Sequence, residues 1–288
     1  MKQEDLPLKS LMGLFSACPK LQEVHLALWS DPRERPGATR TAFERVMAFP
    51  HGDVDWEYQG IHQAHSIAQA AMLTRKTIES LTLDAISHLL FGFGEMNFKW
   101  LPYLVYIIRP LRRLRILMRV RVPPSDISDS ESDGYLIDSP ETTMQSDLGR
   151  ALKKGLLPIL LRKSKDLRVL KLSFYRGWCE PGEIAFMGAE LKDALRDTHF
   201  THLYELGLAH CTTSEGYLIE LLLRQKDTLC RLSLSDIQLR HDTWEHFFQI
   251  IGGKLPALRT VKLRDCMVSQ RRKCLVFNSL FGLSGPFF

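Results

Sequence analysis

One pattern recurs along this chain and limits what it can fold into: an apolar residue, two others, a leucine or its equivalent, one other, and again a leucine. It stands at Leu203-Tyr-Glu-Leu206-Gly-Leu208-Ala-His-Cys211, returns at Leu229-Cys-Arg-Leu232-Ser-Leu234-Ser-Asp-Ile237 and again at Leu258-Arg-Thr-Val261-Lys-Leu263-Arg-Asp-Cys266. Upstream copies are Leu21-Gln-Glu-Val24-His-Leu26, Ile78-Glu-Ser-Leu81-Thr-Leu83, Leu111-Arg-Arg-Leu114-Arg-Ile116 and Leu167-Arg-Val-Leu170-Lys-Leu172. A weaker copy at Val54-Asp-Trp56 is taken as an eighth because it fills a gap of double length. With the middle apolar residue as marker, the copies sit at 24, 54, 81, 114, 170, 206, 232 and 261, at spacings of 30, 27, 33, 56, 36, 26 and 29. Repetition at periods of this size marks units that stack on one another.

Each unit joins two periodicities. The Leu-x-Leu alternation is that of a strand with its apolar side chains on one face. Between the strands lie helical patterns. Residues 214–224 put Leu218, Leu221 and Leu222 on one face behind a cap at Thr213 or Ser214. Residues 242–253 align Trp244, Phe247, Phe248 and Ile251, with Asp242 as cap and Gly252-Gly253 as stop. Gly60 to Arg75, Glu183 to Asp197 and Leu148 to Lys163 read similarly, the last interrupted at Pro158, and the opening Met1 to Cys18 reads as a helix against the first unit. A lone strand–helix unit cannot bury its apolar face, whereas stacking continues one core along the axis, with roughly 1.5–3 kcal/mol from each buried leucine. The expectation is a single α/β domain over residues 1–288: about eight units, a parallel concave sheet roughly 34 Å long and helices on the convex side. A doubly wound sheet would not need the fixed signature, and no GxGxxG follows a strand.

These residues resemble leucine-rich repeats, in particular the longer, irregular, cysteine-tipped kind of F-box leucine-rich repeat proteins and their fungal relatives. The resemblance covers about residues 5 to 268. It rests on the Leu-x-x-Leu-x-Leu cores, on Cys211 and Cys266 after the strands, and on the strand entries CPKLQEVHL and LPALRTVKLRDC. It implies a horseshoe-shaped solenoid that binds protein partners on its concave surface, often to present them to a ubiquitin ligase through an adaptor subunit. The chain departs from the family in that no F-box is visible ahead of the first strand near Leu21.

Composition excludes several classes. With 45% hydrophobic and 25% charged residues among 288, global disorder and collagen-like structure are out. The apolar run Trp100–Ile108 is too short to span a bilayer, and the opening MKQEDLPLKS has no signal-like apolar stretch. Six cysteines without a CxxC pair fit a reducing compartment, so an intracellular protein, cytoplasmic or nuclear, is expected, monomeric and away from membranes. The net charge is +5, but residues 122–149 hold seven acids and no Lys or Arg, which leaves the rest of the chain at +12. A basic body can favour acidic partners or simply stay solvated.

The side chains that alternate with the leucines are expected on the concave face. The most uneven strand is Pro110–Val122, where Leu114, Ile116, Met118, Val120 and Val122 alternate with Arg113, Arg115, Arg119 and Arg121, Leu117 being the exception. Four guanidinium groups on one face can fork onto carboxylates or phosphates. With Lys171, Arg231, Lys262 and Arg264 they form the candidate partner-binding set. Its readings are an anion-binding patch for an acidic peptide, a phosphopeptide or a nucleic-acid backbone (the less favoured partner), or a solvated basic strand. Residues 123–147, rich in Pro, Ser and acids, read as a disordered insertion that accounts for the 56-residue spacing. In it Ser128 and Ser130 are candidate phosphosites, each with an acid three residues on, and the insertion could fold back on Arg113–Arg121 or be a tolerated loop.

Catalytic and metal chemistry find little support. His241 and His246 have the wrong spacing for HExxH, and His62 with His65 lacks a third ligand. His199, His202 and His210 lie near Cys211, which reads as a packed, inert turn residue. No GxSxG or Walker loop is present. The five tryptophans fall in separate units as core or strand-edge fillers. The expected function is therefore non-enzymatic protein binding on the concave sheet, with no cofactor and no metal. The alternatives are a substrate receptor of a cullin–RING ubiquitin ligase and nucleic-acid binding through the Arg113–Arg121 face.

Overall fold

The leucine signatures become strands that pair side by side in chain order. The computed structural model describes residues 5–27, 56–92, 95–121, 148–177, 189–240 and 243–268. The strands are β1 (Glu23–Ala27), β2 (Ser80–Ser87), β3 (Arg113–Arg121), β4 (Val169–Gly177), β5 (Glu205–Thr213), β6 (Arg231–Leu239) and β7 (Thr260–Arg264), and every neighbouring pair is parallel. A short β8 (Met267–Val268) pairs with the far end of β6. Helices fill the crossovers: α1 (Asp5–Ala17) precedes β1, and α2 (Trp56–Leu73), α3 (Glu95–Ile108), α4 (Leu156–Lys163), α5 (Leu191–Leu195), α6 (Glu215–Leu223) and α7 (Trp244–Ile251) follow the strands in turn.

The register aligns equivalent residues. Val24, Leu81, Leu114, Leu170, Leu206, Leu232 and Val261 stand opposite one another strand after strand. Leu26, Leu83, Ile116, Leu172, Leu208, Leu234 and Leu263 form the next row. In the inner strands these side chains are at most 5% exposed, whereas Val24 and, at the other end, Leu258, Val261 and Leu263 are only partly buried. That gradient is what stacking dictates, because an end unit has a neighbour on one side only.

One backbone device repeats at each strand entry. The carbonyl of Gln22 accepts from the amides of Glu79 and Ser80, that of Glu79 from Arg112 and Arg113, and that of Arg112 from Arg168 and Val169. The series continues through the carbonyls of Arg168, Tyr204 and Cys230, each accepting two amides of the following unit. The shared acceptor holds successive units in the same register before the ladder proper begins.

The units differ in how they end. His210, Asp236 and Asp265 have φ of 55°, 51° and 48°, each immediately before the residue that re-enters the core: Cys211, Ile237 and Cys266. A left-handed residue shifts the side-chain alternation by one position, so the buried set changes from Leu206 and Leu208 to Cys211 and Thr213. β2 reaches the same end through a register shift between Leu83 and Ile86. β3 and β4 keep strict alternation, with an unbroken ladder from Arg113↔Val169 to Arg121↔Gly177.

Four expectations are corrected. The eighth copy at Val54-Asp-Trp56 is not a strand between β1 and β2, since those two pair directly and Trp56 opens α2; Val54 and Asp55 lie outside the described residues. The helical run 148–163 breaks at Gly155, not Pro158. Pro158 sits in the first turn of α4, where a missing amide costs little, while a Cβ at Gly155 would collide with the carbonyl oxygens of Ala151 and Phe91. The cap of α7 is Thr243, whose hydroxyl accepts from the His246 amide at 3.2 Å, whereas Asp242 lies outside the described residues. Cys211 lies within β5, not in a turn after it, because that strand runs on past the left-handed residue.

Candidate functional site

Of the eight basic residues singled out in the sequence, the sheet brings six onto positions that alternate with the buried leucines. Arg113 and Arg115 lie on β3, Lys171 on β4, Arg231 on β6, and Lys262 and Arg264 on β7, all exposed. Across one row Arg115 stands opposite Lys171, Lys171 opposite Gly207, Gly207 opposite Ser233 and Ser233 opposite Lys262. Arg119 and Arg121 continue β3 opposite Tyr175 and Gly177. Their side chains, like Ser128, Ser130 and residues 123–147 as a whole, lie outside the described set.

An acid organises this basic surface. Glu205, at the start of β5, receives Lys171 Nζ at 2.6 Å and Arg231 at 3.8 Å. Arg231 also lies over the ring of Tyr204, 5.5 Å from its centroid. Arg264 is held by its neighbour Asp265 at 3.1 Å. That leaves Arg113, Arg115 and Lys262, whose charged groups meet no acid among the described residues. At the β1–β2 end the face carries Glu23, bonded by the Ser80 hydroxyl at 3.2 Å, and Asp84, with His25 at 3.9 Å. The open face is thus acidic and paired at one end and basic, with charge to spare, from β3 onward.

Packing accounts for His65, His246, Cys211 and Cys266, while His241 lies outside the described residues. His65 is buried against Trp100, with ring centroids 4.7 Å apart and planes at 12°. Burial, helped by nearby His62, lowers its pKa to about 3, so it is neutral. His246 joins the first turns of α6 and α7 by placing Nδ1 2.8 Å and 2.9 Å from the two oxygens of buried Glu215. Burial raises the Cys211 thiol well above its usual range and pushes Cys266 up to about 11, so neither is a nucleophile. Among the described residues no three His, Cys, Asp or Glu side chains are grouped to hold a metal, and no helix is long and apolar enough to cross a membrane.

Strand alternation puts Glu205 on the same face as the cations but does not mark it as the acid that Lys171 and Arg231 share. Its neighbours Lys171 and Arg231 are 34 and 26 positions away in the sequence, and only the β4–β5–β6 register brings them to it. No protein-family model matches the chain, and no curated protein or solved structure matches it.

Proposed function

We propose that this chain is a leucine-rich repeat solenoid whose open sheet face binds another protein, with no chemistry of its own. The observation that carries the reading is the row of equivalent positions from β3 to β7, aligned by the ladder and bearing exposed cations, of which Arg115 and Lys262 meet no acid among the described residues. A parallel sheet commonly has both faces covered, so an exposed, charged face in register is a surface to be used by a partner. The repeated strand-entry carbonyls and the left-handed residues at His210, Asp236 and Asp265 support the repeat assignment, since they recur at equivalent places in successive units.

The test is affinity capture from cells with three forms of the chain: wild type, Arg113→Glu with Arg115→Glu on the open face, and Lys153→Glu with Lys154→Glu on the helical side. A protein held by the first and third forms and lost by the second supports the reading. A protein held equally by all three overturns it. The ligase-receptor reading rests on the family resemblance alone, and the same capture addresses it through the presence of the adaptor subunit.

A further inference from the structure

The charge pattern of the open face defines its partner more narrowly. Lys171 and Arg231 share the one carboxylate of Glu205, which is less exposed than either, so the cations at the centre of the face are already engaged and only partly compensated. The cations left over stand at its two sides, Arg113 and Arg115 on β3 and Lys262 on β7. Between β3 and β7 lie four strand steps, about 19 Å at roughly 4.8 Å each. In the row that joins Arg115 to Lys262 the β5 and β6 positions are Gly207, covered by the aliphatic stem of Lys171, and Ser233, so neither adds a charge of its own.

On the open-face reading above, we infer that the partner is an extended protein segment carrying two acidic clusters about six residues apart, one seated on Arg113 and Arg115 and the other on Lys262. Extended chain covers about 3.3 Å per residue, so about six residues bridge the two cation groups. Each acidic cluster then meets a cation that has no acid among the described residues, and the uncharged stretch between them leaves Lys171 and Arg231 on Glu205. A nucleic-acid strand fits this face less well. Its charge is evenly spread, so the phosphates over the centre meet cations that Glu205 already engages. The ring of Tyr204 is already covered by Arg231, so that face of it is not open to stack on a base.

The experiment uses the full chain and fluorescent Gly/Ser peptides bearing two Asp pairs, either adjacent or about six residues apart, at equal net charge. Wild type binds the spaced peptide about tenfold more tightly than the adjacent one, and both Arg113→Glu with Arg115→Glu and Lys262→Glu erase that preference. Glu205→Gln frees Lys171 and Arg231, so the adjacent peptide gains about tenfold while the spaced peptide changes little. Equal binding of the two peptides to wild type overturns the inference, as does tighter binding of a single-stranded oligonucleotide of the same charge. Spaced-peptide binding that appears only after the seven acids of residues 122–149 are replaced by their amides assigns the face to the chain's own acidic segment and overturns an external partner. A captured protein that depends on Arg113 and Arg115 but competes with neither peptide overturns this inference and leaves the open-face reading standing. A captured protein indifferent to those arginines removes both.

Discussion

Asp236 Oδ2 lies 3.6 Å from Nδ1 of His210, and the two residues occupy the same left-handed position of consecutive units. Burial depresses the histidine's pKa and raises the carboxyl's, outweighing their mutual attraction on both sides. The pair is thus held mainly by the backbone turn that both residues make, and that turn sends Cys211 and Ile237 back into the core. Asp tolerates a φ of 51° better than most residues, glycine tolerates it fully and a β-branched residue poorly. Asp236→Val is therefore expected to be about 1–3 kcal/mol less stable than Asp236→Gly, measured by urea unfolding. Equal stabilities would mean the turn does not depend on the left-handed residue.

Much of this architecture was legible because it follows from local spacing. Seven of the eight apolar markers head strands in the expected order, since Leu-x-Leu alternation and a stacked register impose the same choice. The long gap around Val54-Asp-Trp56 holds no extra unit between β1 and β2, because crossover length between parallel strands is not fixed and Trp56 belongs to α2. Cap choice at Asp242 against Thr243, and the break at Gly155 against Pro158, turned on single-residue geometry that periodicity does not encode. At the candidate site, the columns Arg113–Arg115 and Lys262–Arg264 were readable from each strand alone. The pairing of Lys171 and Arg231 through Glu205 was not, because it crosses three strands.

Gly155 has a steric role. It is buried between the helical run 148–154 and α4, and the carbonyl oxygens of Ala151 and Phe91 occupy the place of a side chain. Backbone atoms on both sides cannot rotate away as a flexible side chain would. Gly155→Ala is expected to cost about 3 kcal/mol, at the upper end of overpacking, even though alanine is the better helix former. A denaturation midpoint equal to or above wild type would show that the two segments move apart freely.

Stacking also predicts unequal costs for equal deletions. Leu234 on β6 is fully buried between β5 and β7, whereas Leu263, its partner on β7, is only partly buried. Leu234→Ala is expected to cost about 3–5 kcal/mol and Leu263→Ala about half of that, because the end position already lacks one set of neighbours. Similar losses for both variants, measured by the same unfolding transition, would show Leu263 as well enclosed as Leu234.

His65 gives the chain a defined acid sensitivity. Its ring is 2% exposed, stacked on Trp100, and its Nε2 finds no hydrogen-bond partner, so a proton there would be buried without compensation. The unfolded chain takes up this proton near the usual 6.5, the folded chain only near 3, so protonation favours unfolding. The contribution is absent above about pH 7 and grows as pH falls from 6.5 towards 3, reaching about 2 kcal/mol of lost stability at pH 5. His65→Phe keeps the ring against Trp100 and removes the proton site, while His62 is present in both proteins and drops out of the difference. Between pH 7.5 and pH 5, wild type should lose about 2 kcal/mol more than His65→Phe in urea unfolding at each pH. Parallel pH profiles would mean that His65 is protonated in the folded protein, and that the α2–α3 contact at Trp100 opens to water.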